Sequence, residues 1–150
     1  MMKTRMCQYR SLLCDSLVFV LLLAGITGCN RSKVIKGIQV SELLLVVANE
    51  QNADYCKLLR KAVEGDIPSI RQLTLLDISD GAAYDHGAVI VDLIEQVGEE
   101  TFIQSLDSIS TAQIEQIKSY IEAGLEYGNH PEWDSRMFED VFPKTYALLN

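Results

Sequence analysis

Residues 110–128, STAQIEQIKSYIEAGLEYG, leave this chain little choice of local structure. Ile114, Ile117, Ile121 and Leu125 recur every three or four positions, which is one face of a 3.6-residue helix. Ser110 and Gln113 stand three apart ahead of that stripe, as a capping box requires, and Gly128 stops it. The same pattern repeats upstream. In NADYCKLLRKAVEG, Tyr55, Cys56, Leu58, Leu59, Ala62 and Val63 share a stripe, and Gly65 stands where a helix C-terminus favours positive φ. In DIPSIRQLTLLD, Asp66 is an N-cap and Pro68 falls in the first turn, while Ile67, Ile70, Leu73 and Leu76 share a face.

The remaining segments fit the same scheme. SELLLVVANEQ (41–51) suits a buried helix or a short strand, and Ser41 as N-cap tips it to helix. SDGAAYDHGAVIVDLIEQVG (79–98) reads as a loop through Ala83, then a helix from about Asp85 to Val97 closed by Gly98. In that reading Asp85 is an N-cap or first-turn acid, and His86, beside two acids, carries a raised pKa. EETFIQSLDSI is a short helix with Glu99 and Glu100 favoured by the helix dipole in its first turn. A last helix runs through SRMFEDVF and kinks or resumes around Pro143 into KTYALL. The expectation is an all-α, single compact domain of about six antiparallel helices, a helical-hairpin array or bundle.

The N-terminal thirty residues read as an address. Lys3, Arg5 and Arg10 precede LVFVLLLAGI, an apolar run of ten. A bilayer-spanning helix needs about 20 residues, so the run fits the core of a secretory signal. Ile26-Thr27-Gly28-Cys29 follows, and it resembles the lipobox of bacterial lipoproteins: aliphatic, small, Gly or Ala, then Cys. That resemblance implies cleavage after Gly28, acylation (palmitate among the chains) of Cys29, and a membrane anchor of two or three acyl chains. Each buried CH₂ adds about 0.8 kcal/mol, and one chain alone is marginal. Asn30, where an Asp would favour inner-membrane retention, implies the outer membrane, facing the periplasm. The expected division is a signal peptide at 1–28, a lipid-anchored tether at 29–40 and an acidic all-α domain at 41–150.

Cys7 and Cys14 leave with the signal and Cys29 is acylated, so Cys56 remains alone. With no partner for a disulfide in the mature chain, stability must come from packing. KAVEGDIPSIRQL and AAYDHGAVIVDLIEQVG resemble ankyrin helix pairs. The spacing departs from that family, since Gly65 and Gly87 are 22 residues apart against a period of about 33, and the Thr-Pro-Leu-His signature is absent. The similarity is one of helix-hairpin physics.

Charge narrows the function classes. Residues 29–150 carry 10 Lys and Arg against 20 Asp and Glu, a net of −10. Residues 29–63 hold 6 basic and 3 acidic groups, whereas 64–140 hold 3 basic and 17 acidic groups. Nucleic acid is excluded as a partner, because phosphate contacts need a basic surface. A cationic protein is the complementary partner. HExxH, paired CxxC, GxSxG, P-loop and dinucleotide motifs are all missing, so no catalytic residue, cofactor or metal site is expected. A metal site could only be drawn from His86, His130 and acids such as Asp85, Glu132 or Asp134, with no spacing that demands it. Cell-wall cysteine peptidases place Asp-Cys-Ser/Thr-Gly at a helix start. Asp54-Tyr55-Cys56-Lys57 departs from that pattern, and Cys56 is expected as a small buried hydrophobe. Asp85, His86, His130 and Trp133 remain as candidates for a ligand or interaction site, with Trp133 pinning the loop that carries His130.

The expected function is thus a non-enzymatic, membrane-anchored envelope lipoprotein that binds a cationic protein. Two alternatives stand beside it. One is an immunity-type lipoprotein neutralising a periplasmic toxin, which its size, anchor and acidity resemble. The other is an envelope enzyme acting on peptidoglycan or a small molecule, built from a cleft containing His86, Asp85 and Glu132.

Overall fold

A computed structural model describes residues 32–133 and 136–150, which belong to one unit, Arg31–Asn150. The signal, the motif ending at Cys29, Asn30 and Asp134 lie outside the described residues. Among the described residues, no helix is long and apolar enough to cross a membrane.

The domain begins with a hairpin. Strands β1 (Lys33–Ile35) and β2 (Ile38–Val40) pair antiparallel, Ile35 facing Ile38 and Lys33 facing Val40. Lys36 and Gly37 form the turn with φ of 52 and 94, the two left-handed positions of a type I′ hairpin. Ile35, Ile38 and Val40 are buried. The tether expected over 29–40 is therefore corrected: from Lys33 onward that segment is part of the fold. A two-stranded ribbon is marginal in water alone, and it persists here because its apolar face is covered by helices.

Eight α-helices follow among the described residues: α1 (Glu42–Glu50), α2 (Tyr55–Val63), α3 (Ile67–Thr74), α4 (Gly81–Val97), α5 (Glu99–Ser105), α6 (Thr111–Tyr127), α7 (Phe138–Val141) and α8 (Pro143–Leu149). A 3₁₀ turn, Pro131–Trp133, precedes α7. The domain is mostly helical with one small sheet, and eight helices replace the expected six or so. The segment expected as one kinked C-terminal helix is two, because Pro143 pushes Phe142 to φ −129, ψ 68, outside the helical region.

Local chemistry explains most boundaries. Ser41 Oγ accepts from Leu44 N at 3.1 Å, which resolves residues 41–51 as helix. Asp54 and Asp66 cap α2 and α3 through Lys57 N and Ser69 N, each at 3.0 Å. Ser110 and Gln113 form the reciprocal capping box on α6. Gly65 takes φ 83 in the α2–α3 link, as its position required. Arg71 donates to the carbonyl oxygens of Ser105 (3.0 Å) and Asp107 (2.5 Å), placing a cation at the C-terminus of α5.

The start of α4 differs from expectation. It begins at Gly81, one turn early, with Asp80 at φ 54 and no side-chain cap. Asp85 is therefore not a cap but a second-turn residue whose carboxylate accepts from the Ser41 hydroxyl, joining α1 to α4. The added turn extends the buried face by Ala82. Ala82, His86, Val89, Ile90 and Leu93 fall on one buried stripe, so His86 points into the core.

Helix α4 is the centre of the domain, packing on β2, α1, α2, α5 and most extensively α6. The two long helices approach closest at glycines. A Cβ on Gly124 would sit 2.2 Å from the Gly87 carbonyl oxygen, and one on Gly87 would sit 2.3 Å from the Tyr120 carbonyl oxygen. Backbone meets backbone here, so neither side can yield as a side chain would.

This contact predicts a ranking of substitutions. Overpacking usually costs about 1–3 kcal/mol, and Gly124→Ala is expected at the upper end, roughly 3 kcal/mol. Gly65→Ala meets no atom within 4 Å and strains only its positive φ, for about 1 kcal/mol. Urea unfolding checks the order, and equal losses at the two positions would refute it.

Candidate functional site

The two imidazoles sit in opposite environments on either side of α4. His86 is 0 % exposed. Its Nδ1 lies 2.8 Å from the Tyr55 hydroxyl, and its ring stands edge-on to Tyr55 (5.7 Å between centroids, 72°) and Tyr120 (4.8 Å, 84°). The Tyr55 hydroxyl is the natural donor, so the Nε2 proton remains, and Nε2 has no hydrogen-bond partner. Burial pushes the His86 pKa down from 6.5 to about 3. That corrects the raised pKa expected from its acidic neighbours: Asp85 turns away to Ser41, and desolvation governs what remains.

Tyr120 ties this centre to the connection before α4. Its hydroxyl oxygen accepts from Ile78 N and from Gln116 Nε2, both at 2.9 Å, and donates to the Ile78 carbonyl at 2.8 Å. One phenol thus satisfies both backbone groups of Ile78, a buried link residue.

His130 lies at the surface side, in the loop after α6. Its Nε2 is 2.6 Å from Asp92 Oδ1 on α4, and its Nδ1 is 3.2 Å from Glu132 Oε1. The ring stacks on Trp133 (4.0 Å, 23°), which in turn meets Phe142 edge-on at 5.6 Å. Partial burial opposes the charge on His130, but the hydrogen bonds to Asp92 and Glu132 outweigh it, so its pKa is raised. Trp133 is half-buried and joins the loop to the C-terminal helices.

Asp85, His86, His130 and Trp133 thus fall into two separate groups. His130 and Trp133 come together, whereas Asp85 and His86 diverge around α4. Glu132 belongs with His130 and not with His86. Cys56 is half-buried at the rim of the core. Among the described residues, no Ser, Thr or Cys side chain bonds either imidazole, and no three His, Cys, Asp or Glu are placed to hold a metal ion. A groove of about 400 Å³ runs between α6 and the C-terminal helices, floored by Leu125, Phe138 and Tyr146, and neither imidazole lines it.

Sequence reasoning missed Asp92, Tyr55 and Tyr120 as the partners that define these environments. Asp92 carried a signal: a lone acid inside VIVDLI must be either outward-facing or paired, and here it is both half-exposed and paired. Compared with family models, curated proteins and solved structures, the chain shows no match.

The two histidines predict opposite pH effects. The folded pKa of His86 is depressed, so the unfolded chain takes up a proton that the folded one refuses. Stability present above pH 6.5 is lost as the pH falls toward about 3, at about 1.4 kcal/mol per unit. His86→Gln is expected to flatten that slope by up to one proton in urea titrations from pH 7.5 to 4.5. The His130 pKa is raised, so its contribution is complete below the unfolded value and fades as the pH rises through the folded one. Asp92→Asn is expected to lower the His130 pKa in an NMR titration, and an unchanged value would break the assignment of cause.

Proposed function

We propose that this chain is an envelope lipoprotein, acylated at Cys29 and facing the periplasm from the outer membrane, whose helical domain binds a cationic protein without catalysing a reaction. For the architecture we propose antiparallel pairing of neighbouring helices, as the three-residue link between α2 and α3 favours. One observation carries the functional reading. From residue 72 to residue 117 the chain has no Lys or Arg, yet it carries nine carboxylates. Asp77, Asp80, Glu95, Glu100, Asp107 and Glu115 among them are exposed. Lys144 and Lys118 pair with Glu100 and Glu115, and the acidic excess that remains accelerates encounter with a basic partner and rejects acidic ones.

The immunity-type version of this reading rests on the same acidity and adds a single stoichiometric toxin as partner. The enzymatic alternative gains no supporting observation. His86 is enclosed among aromatic rings, and His130 is occupied by two carboxylates.

Two measurements test the reading separately. Cys29→Ala is expected to abolish palmitate labelling and move the chain from the membrane to the soluble fraction; continued labelling would remove the anchor. Affinity capture from envelope extracts is expected to recover one basic protein at low ionic strength and to lose it at about 0.5 M salt, where the screening length is only a few ångströms. Recovery of acidic partners, or of none, would count against the binding role.

A further inference from the structure

Tyr84 on α4 and Tyr127 at the end of α6 meet edge-to-face, with ring centroids 5.0 Å apart at 85°. They remain 51 % and 59 % exposed. The platform beneath them is stiff. Gly87 and Gly124 lock the two helix backbones together, and a Cβ on Gly128 would lie only 3.8 Å from that of Ala88, so small residues keep the ground beside the rings low.

The charge shown beside the pair is negative. Helix α4 carries Asp85, Asp92 and Glu95 and no cation. On α6, Glu122 and Glu126 follow Lys118, and the next cation along the chain is Arg136. Glu126 lies against Tyr127 closely enough to raise its phenol pKa. Rigid, exposed tyrosines with nearby fixed charge are the residue types that anchor protein interfaces.

We propose that the Tyr84–Tyr127 face docks a basic segment of a partner protein, taking an arginine against the two rings with its guanidinium bonded by Glu126. Charge selects this occupant. A second copy in a symmetric pair would set Glu126 against the same face of its twin, and an anionic lipid surface or a nucleic acid would be repelled by the acidic excess. Arginine fits better than lysine, because its planar group stacks on an aromatic ring and bonds a carboxylate bidentately. The proposal rests on the cationic-partner reading above and adds where and how the partner is read.

The test uses the full chain in a nonionic detergent and two dye-labelled probes, a hexa-arginine and a hexalysine peptide, followed by fluorescence anisotropy. Hexa-arginine is expected to bind several-fold more tightly than hexalysine. The charge-neutral pair Tyr84→Ala, Tyr127→Ala is expected to weaken hexa-arginine roughly tenfold and hexalysine within about twofold. Tyr84→Phe with Tyr127→Phe retains the rings and should keep the arginine preference, which separates loss of the face from loss of the fold. If the alanine pair binds hexa-arginine as the parent does, in a complex that salt dissolves, the rings are not the dock while the cationic-partner reading stands. If neither peptide binds at low salt, both fail. A dimer that the alanine pair dissociates would give the face to a second copy and overturn the proposal.

Discussion

Contact between the Gly87 and Gly124 backbones sets the geometry of this domain. With no side chain between them, the main chains of α4 and α6 come within the distance at which a single methyl group would collide with a carbonyl oxygen. Such proximity allows weak Cα–H···O contacts as well as dispersion. It also orients whatever lies next to it. His86 precedes Gly87 and is turned inward against Tyr55 and Tyr120, while Ala88 follows it and packs beside Gly128 at the surface. The buried imidazole, the exposed tyrosine pair and the loop bearing His130 all take their positions from one crossing point.

The chemistry on the two sides of α4 follows from that placement. Inside, aromatic rings and a single hydroxyl surround His86, and the loss of water decides its charge state. Outside, partial loss of water opposes the charge on His130, and the hydrogen bonds to Asp92 and Glu132 together outweigh it. The helix thus carries an uncharged imidazole on its core side and faces a readily charged one on its outer side. The first contributes packing without an ionic partner. The second offsets part of an acidic surface that has few cations of its own.

Much of the helical domain was legible from local pattern, and the failures share a cause. Stripes, caps and glycine stops placed α2, α3 and α6 closely, because those signals are determined within a few residues of each other. The first strand falls in a segment expected as a tether because NRSKVIKG (30–37) is short, basic and polar. The hairpin's alternation, with Ile35, Ile38 and Val40 on one face, was the informative part. The first turn of α4 was missed because Gly81, Ala82 and Ala83 resemble a loop in composition. His86 stands three, four and seven residues before Val89, Ile90 and Leu93, and that spacing was the sign of a core position. Tyr55 lies 31 residues from His86 and Asp92 lies 38 from His130, and no spacing rule within one sequence encodes such pairings.

The bond from Tyr120 to Ile78 has a kinetic meaning. The link between α3 and α4 has its central amide and carbonyl satisfied by a phenol 42 residues further along the chain. Until α6 is docked, the Ile78 amide has only the Leu76 carbonyl at 3.1 Å, and the Ile78 carbonyl only water. Helices α2 and α3 can pair early through a short connection, but the link that follows them must wait for a distant part of the chain to arrive. Order in that link is then a late event in folding and an early loss in local opening. The Ile78 amide proton accordingly reports, by its exchange rate, whether α6 is seated against the rest of the domain.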